Sequence, residues 1–357
     1  MIAVLQGSLD ERYMREALML AGQGWGRTGI NPLVGAIVVN KGRIAGRGFH
    51  RKIGESHAET LALIEAGTKA KGATLYVNLE PCCACGRTPP CVDMIAKAGI
   101  NRVVIGMLDP NPVVNGNGAE CLRRKGIEVT LDVLNRDALE LNKWYKKYIT
   151  SRSPYIYLKI ATSKDGRICN FKRKYITSDH ALRFVHSLRS RVGAVMVGIN
   201  TILKDNPYLT DRLIGRNDPV RVVIDSKLRI PLDSNFIAPG VRRIIITSSN
   251  SDPEKTEKLI SMGIEFINLP GEYFPLDKVF RKLAELELGS MLIEGGGLLF
   301  TQVLTEKLYD ELFIFIAPEI VGEGIDFLGE LSQDINVSRI KPTKIGEDLL
   351  YHVYGHN

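Results

Sequence analysis

One histidine, one glutamate and a set of cysteines are spaced for metal-assisted hydrolysis. Ser56-His57-Ala58-Glu59 is followed by Glu80-Pro81-Cys82 and then by Pro89-Pro90-Cys91. An imidazole and two thiolates suit Zn²⁺, which takes nitrogen and sulfur ligands tetrahedrally. Three protein ligands leave a fourth position for water, whose pKa the metal lowers to about 7. A carboxylate at Glu59 would then carry protons beside the metal rather than bind it.

The six cysteines are Cys82, Cys83, Cys85, Cys91, Cys121 and Cys169, and four fall within residues 82–91. A secreted disulfide scaffold is short and spreads its cysteines. A cluster in a longer chain reads as metal-binding or catalytic. Two blander readings exist. His57 and Glu59 can be ordinary helix-end residues, or Cys82, Cys83, Cys85 and Cys91 can form a closed structural site. Adjacency of Cys82 and Cys83 argues against the second, because neighbours rarely share one ion. A His-x-Glu followed by Pro-Cys at a helix start matches zinc nucleobase deaminases, whose glutamate shuttles protons. Cys82 and Cys91 fit that pattern, with a wide separation; Cys83 or Cys85 could compete for the metal.

A second constellation lies downstream. Met291 to Glu294 reads as a strand, Gly295-Gly296-Gly297 as a turn, and the following residues as a helix. Bare N–H groups at a helix start make an anion site, so a dinucleotide phosphate is a natural guest. The G-x-G-x-x-G fingerprint is absent, and a plain glycine turn is the competing reading. Leu158-Lys159-Ile160-Ala161, before Ser163-Lys164-Asp165-Gly166, is a strand that ends where a cofactor can approach the backbone.

Apolar periodicity supplies the elements that would position these groups. In the first half, helices are expected at 9–23, 57–66 (Ser56 as N-cap), 89–98, up to Gly126, and 137–149. Strands are expected at Val34–Val39, Ile44–Gly48 (the return strand of a hairpin after a Lys41-Gly42 turn), Thr74–Leu79, Val103–Gly106 and Ile127–Val133. This order predicts helices over a mostly parallel sheet. Thr150-Ser-Arg-Ser-Pro154 reads as a linker, dividing the chain into domains 1–150 and 151–357. The alternation then restarts: strands at Tyr155–Ala161, Ala194–Gly198, Arg221–Ile224, Arg243–Thr247, Ile264–Asn268, Ser290–Glu294 and Glu311–Ala317, with helices at 179–191, 253–262, 277–287 and 297–306.

Composition narrows the class. With 45% hydrophobic and 24% charged residues, the 357-residue chain is globular, not disordered. No apolar stretch reaches a membrane span, and the N-terminus lacks the order of a signal peptide, so a cytoplasmic protein is expected. A net charge of +7 fits an anionic substrate. Lys172-Arg173-Lys174 is the densest basic run, too sparse for a nucleic-acid surface. A homo-oligomer is expected for a cytoplasmic enzyme of this size.

The chain resembles the bifunctional deaminase/reductase of riboflavin biosynthesis. The motifs are His57-Ala58-Glu59, Glu80-Pro81-Cys82, Gly86-Arg87-Thr88-Pro89-Pro90-Cys91, Asp109-Pro110-Asn111-Pro112, Asn31-Pro32-Leu33-Val34-Gly35 and Gly48-Phe49-His50. In the second half they are Val197 to Pro207, Leu209-Thr210-Asp211-Arg212, Val223-Ile224-Asp225-Ser226 and Ile316-Ala317-Pro318. The resemblance implies an N-terminal cytidine-deaminase-like three-layer α/β/α domain and a C-terminal dihydrofolate-reductase-like α/β domain. It implies that His57, Cys82 and Cys91 hold zinc, that Glu59 shuttles protons, and that Asn31, His50, Arg87, Asp109 and Asn111 hold the pyrimidine ribotide. In the second domain it implies that Ala161, Tyr175, Thr201, Asp205, Ser226, Gly296 and Gly297 line an NADPH site. Arg189, Leu209, Arg212 and Glu294 would hold substrate, the arginines being suited to a sugar phosphate.

The implied reaction removes the 2-amino group of 2,5-diamino-6-ribosylamino-4(3H)-pyrimidinone 5′-phosphate as ammonia, then reduces its ribosyl group to ribityl. Two departures stand out: Ala84 replaces a usual histidine, and the loop after Arg167 is short, with Tyr175 where a tryptophan is common. Two rivals are an RNA-editing deaminase, which would need a basic, aromatic-interleaved surface, and a non-catalytic zinc-stabilised or NADPH-sensing module.

Overall fold

Alternation along one strand decides the layering of the first half. In the computed structural model, which describes residues 2–83, 90–168, 176–215, 217–324 and 340–355, Ala36 and Val38 join one core and Ile37 and Val39 another. Successive side chains of a strand point to opposite faces, so this strand is covered on both sides. The chain forms two compact units, Met1–Arg152 and Ser153–Asn357. Among the described residues no helix is long and apolar enough to cross a membrane.

The first unit runs α1 (Ile2–Ala21), β1 (Gly35–Asn40), β2 (Arg43–Phe49), α2 (Ala58–Ala66), β3 (Thr74–Leu79), α3 (Cys91–Lys97), β4 (Arg102–Met107), α4 (Asn117–Arg124), β5 (Glu128–Thr130), α5 (Asn135–Leu141) and α6 (Lys143–Ser151). Its sheet order is β2-β1-β3-β4-β5. Residues of α2, α3 and α4 pack on one face, with Ala58, Ala62, Val92, Ile95 and Leu122 in the core. Residues of α1 and α5 cover the other, through Met14, Ala17 and Ala138. This is a three-layer α/β/α arrangement.

Several expectations need correction. The β1–β2 hairpin is antiparallel as expected, but the first sheet is not mostly parallel, because β1 also pairs antiparallel with β3, leaving only β3–β4 and β4–β5 parallel. The N-cap of α2 is His57, not Ser56. The helix expected at 137–149 is two helices, broken at Asn142, whose side chain is fully buried and bonds Leu33 N and O. Helix α6 continues through Ser151, which shortens the linker.

The second unit runs β6 (Tyr155–Thr162), α7 (Asp179–Arg189), β7 (Ala194–Gly198), α8 (Ile199–Asp205), β8 (Val220–Ile224), β9 (Arg243–Ser248), α9 (Pro253–Ser261), β10 (Glu265–Leu269), α10 (Leu276–Glu285), β11 (Ser290–Ile293), α11 (Gly297–Thr305), β12 (Glu311–Ile316), β13 (Thr343–Ile345) and β14 (Asp348–Tyr354). The sheet order is β10-β9-β8-β7-β11-β6-β12-β14-β13. All pairs from β10 to β12 are parallel, and the two involving β14 are antiparallel. The large core contains Ile156, Leu158, Met196, Val222, Ile244, Phe280, Ile293 and Ile314. In a parallel sheet, ligands bind beyond the carboxyl ends of the strands. Here β8, β7, β11 and β6 are neighbours, so their four C-terminal loops converge on one edge.

Candidate active sites

The metal triad is built at two helix starts and one strand end. His57 is the N-cap of α2, Cys91 is the first residue of α3, and Cys82 follows β3. His57 Nδ1 lies 3.1 Å from Cys91 Sγ and 3.6 Å from Cys82 Sγ. All three ligand atoms fall within 4.8 Å of one another. The Cys91 N–H donates to Cys82 Sγ at 3.4 Å. A hydrogen bond with Cys91 draws the Cys82 thiol down to about 4, while the same contact and burial push Cys91 up. One imidazole and two thiols converging with a thiolate already favoured fit zinc, whose binding releases ligand protons. Cys83 is not in the cluster; its thiol neighbours Cys121. Cys85, Arg87 and Ala84 lie outside the described residues, as does Tyr175.

Glu59, two residues beyond the N-cap, is 3% exposed. Burial raises its carboxyl above the usual range, against the pull of His57, and it hydrogen-bonds Cys91. A buried acid with a raised pKa beside the metal ligands is suited to taking and returning a proton. Asn31 Nδ2 donates to His50 Nε2 at 3.1 Å. The His50 ring stands edge-on to His57, with centroids 5.8 Å apart. Burial lowers the pKa of His50, which fits its acceptor role toward Asn31.

Asp109 and Asn111 occupy the loop between β4 and α4. Asp109 Oδ1 accepts from Asn111 N (2.8 Å) and from the Tyr145 hydroxyl (3.1 Å). Burial pushes its pKa up, and Glu80 and Cys82 add to that. The structure thus sets His50 against His57 and Glu59 against Cys91, with Asn31 bonded to His50 and Asp109 near enough to Cys82 to feel its charge.

In the second unit, Ala161, Thr201, Ser226 and Gly296-Gly297 all follow or end the neighbouring strands β6, β7, β8 and β11. Gly297 is the first residue of α11. At the same edge, Thr162 Oγ1 is buried without a hydrogen-bond partner among the described residues, whereas Asp225 Oδ1 faces Arg229 Nε at 3.9 Å. A buried hydroxyl of this kind is suited to a partner supplied from outside the chain. Together with the N–H groups at the start of α11, it fits a dinucleotide. Asp205 is exposed at the far end of α8 from Thr201.

Arg189 does not hold its fork open. It grips Glu294 through Nη2–Oε2 at 2.7 Å and a second N–H to Oε1, and donates Nη1 to Thr210 O at 3.0 Å. Burial raises the Glu294 pKa, but Arg189 and Lys159 pull it below the usual carboxylate range. Leu209, which precedes Thr210, is buried with φ 53°. Arg212 is exposed nearby.

Two residues of this cluster escape a reading of the sequence for motifs. Lys159 sits in β6 between apolar neighbours; burial lowers its pKa, countered by Glu294. His186, 2% exposed on α7, has its pKa lowered to about 4 by burial and by the charges of Arg189 and Arg212. A charged residue inside an otherwise apolar strand was the available signal for Lys159; none marked His186.

Residues 154–351 match the family model described as RibD C-terminal domain. Residues 8–107 match the cytidine and deoxycytidylate deaminase zinc-binding region. The riboflavin biosynthesis protein RibD of Aquifex aeolicus (strain VF5) is 43% identical over 350 residues, covering 96% of this chain and 97% of that protein. RibD of Escherichia coli (strain K12) is 37% identical over 372 residues, covering 97% and 99%. A Thermotoga maritima structure described as a diaminohydroxyphosphoribosylaminopyrimidine deaminase/5-amino-6-(5-phosphoribosylamino)uracil reductase superposes with a TM-score of 0.85. It is 36% identical and covers 98% of this chain and 100% of that one. The expected pairing of a deaminase fold with a reductase fold agrees with these matches.

Proposed function

The chain belongs to the RibD family of riboflavin biosynthesis proteins, and from that premise we propose how its two units divide the reaction. The protein is a bifunctional enzyme, a zinc-dependent deaminase and an NADPH-dependent reductase. We assign deamination to residues 1–150 and reduction to residues 151–357. The substrate is the diaminopyrimidinone ribotide, an anion that suits the net charge of +7.

His57, Cys82 and Cys91 hold the zinc. When bound, zinc is a Lewis acid that makes water nucleophilic near neutral pH. Glu59 takes a proton from water and hands it to the departing amino group. Asn31 and His50, fixed to each other, hold the pyrimidine ring, with Asp109, Asn111 and Arg87 on the ribotide side. The observation that carries this half is the triad within 4.8 Å with the buried Glu59 beside it.

In the second half, Ala161, Tyr175, Thr201, Asp205, Ser226, Gly296 and Gly297 hold NADPH, which supplies the hydride. Leu209 and the Arg189–Glu294 pair shape the ribotide site, and Arg212 takes the phosphate, because the Arg189 fork is already engaged. The Lys159 amine interacts electrostatically with Glu294; it supplies the polar contact to the reacting sugar. The enzyme works in the cytoplasm as a homo-oligomer, which sedimentation of the purified chain would check.

Glu59→Gln tests the assignment. Ammonia release should fall by about 10²–10⁴-fold, the usual worth of a positioned proton carrier, with zinc content unchanged. Undiminished ammonia release would refute the role of Glu59.

A further inference from the structure

Glu80 is a buried carboxylate that the deamination step does not use. It is 3% exposed and precedes the ligand Cys82 by two residues. Both of its oxygens accept, and among the described residues every donor is a backbone amide of one segment. Asp109 N–H and Gly116 N–H donate to Oε2 at 3.1 and 2.9 Å, and Ala119 N–H donates to Oε1 at 2.9 Å. In return, Glu80 N–H donates to Met107 O at 3.0 Å, at the start of the same segment. No described cation pairs with it. Three charge-assisted hydrogen bonds offset the cost of burying this anion.

The segment it holds leaves β4, carries Asp109 and Asn111, and enters α4. Its far end is pressed against the same place. A Cβ at Gly118 would lie 2.1 Å from Pro81 O and 3.0 Å from Glu80 Cγ. The Asp109 carboxylate passes the fixation on through its bond from Asn111 N.

We propose that Glu80 is a positioning residue of the deaminase half, which sets the 109–117 loop against the Cys82 end of the metal site. The ribotide contacts of Asp109 and Asn111 thereby keep their place relative to Glu59. The inference rests on the reading that this loop holds substrate. Glutamine is the discriminating replacement. Its amide NH₂ must face at least one backbone N–H, so part of the clasp turns repulsive while shape and volume stay the same.

The test uses the full chain with Glu80→Gln, Asn111→Ala and Gly118→Ala, the last displacing the same loop from its other end. Ammonia release is followed over a range of diaminopyrimidinone ribotide, with zinc content and reduction of the deaminated ribotide measured on the same preparations. Glu80→Gln and Gly118→Ala should raise KM by about tenfold or more, in line with the effect of ångström-scale misplacement. The fall in kcat should be smaller, with zinc and reductase activity retained, a split that a general loss of folding would not give. Wild-type KM in both variants, or loss of zinc in step with activity, overturns the proposal. If Asn111→Ala raises KM while the other two do not, the loop holds substrate and Glu80 does not position it. If Asn111→Ala leaves KM unchanged, the placement of substrate on this loop falls, and the proposal with it.

Discussion

Replacing Gly48 with alanine should silence the deaminase and spare the reductase. Gly48 lies on β2 beneath the first turns of α2. A Cβ there would sit 2.2 Å from Ala58 O and 2.7 Å from Ala62 N, both rigid helix backbone. Ordinary contact begins near 3.4 Å, so strand and helix must part by about 1.2 Å, an overpacking strain of about 1–3 kcal/mol. Ala58 lies between His57 and Glu59, so the displacement carries a metal ligand and the proton carrier together. Misplacement on this scale costs about 10²-fold in rate. The assay is ammonia release from the diaminopyrimidinone ribotide, with zinc content on the same sample and NADPH oxidation with deaminated ribotide as internal control. Ammonia release should drop by about two orders of magnitude while reduction stays within about twofold of wild type. A folded Gly48→Ala protein with wild-type ammonia release would refute the claim that the α2–β2 contact positions the site.

Lys159→Met keeps most of the side-chain volume but removes the amine facing Glu294, and should lower reduction of the deaminated ribotide by about 10²-fold or more while ammonia release holds; unchanged reduction would count against its role. His186, neutral in the fold with its pKa lowered from 6.5 to about 4, binds fewer protons folded than unfolded. Its contribution is therefore complete above about pH 6.5 and lost as pH falls toward 4, by up to about 3 kcal/mol. His186→Gln should shrink the difference in urea stability of the reductase half between pH 7 and pH 5; an unchanged difference would contradict this. Arg102 grips Asp10 at 2.8 and 3.0 Å, with Tyr76 donating to the same carboxylate. Arg102→Met should cost about 3–5 kcal/mol in urea unfolding, as for other broken buried pairs, and a loss under 1 kcal/mol, the value of surface pairs, would show that water compensates Asp10.

Much of this was readable from the chain because the decisive features are local. Val34 to Val39 is an apolar β-branched run, and the His-x-Glu and Pro-Cys spacings name a metal by ligand type alone. What stayed hidden depends on partners elsewhere in the chain. The Lys41-Gly42 turn marks β1 and β2 as a hairpin, but nothing within β1 says that β3 also runs antiparallel to it. Helix α8 spans only Ile199–Asp205 and buries few residues, too short for periodicity to show. Strands β13 and β14 lie beyond Glu311–Ala317, the last continuous apolar run; β14 alternates irregularly, with Asp348 buried and Leu349 exposed. Buried Asp348 instead accepts from the Ser178 N–H and hydroxyl, 170 residues away. Lys159, His186 and Glu80 owe their interest to neighbours such as Glu294, Arg189 and the 109–119 amides, which no spacing predicts.

The central claim is that one chain deaminates at a zinc site and then reduces at an NADPH site. The most direct measurement follows ammonia and NADPH separately on the purified full chain given the diaminopyrimidinone ribotide, with and without a zinc chelator. Ammonia should appear first and NADPH consumption follow, with both signals lost under chelation and NADPH consumption restored by adding deaminated ribotide. NADPH consumption without ammonia, or ammonia release indifferent to the chelator, would contradict it.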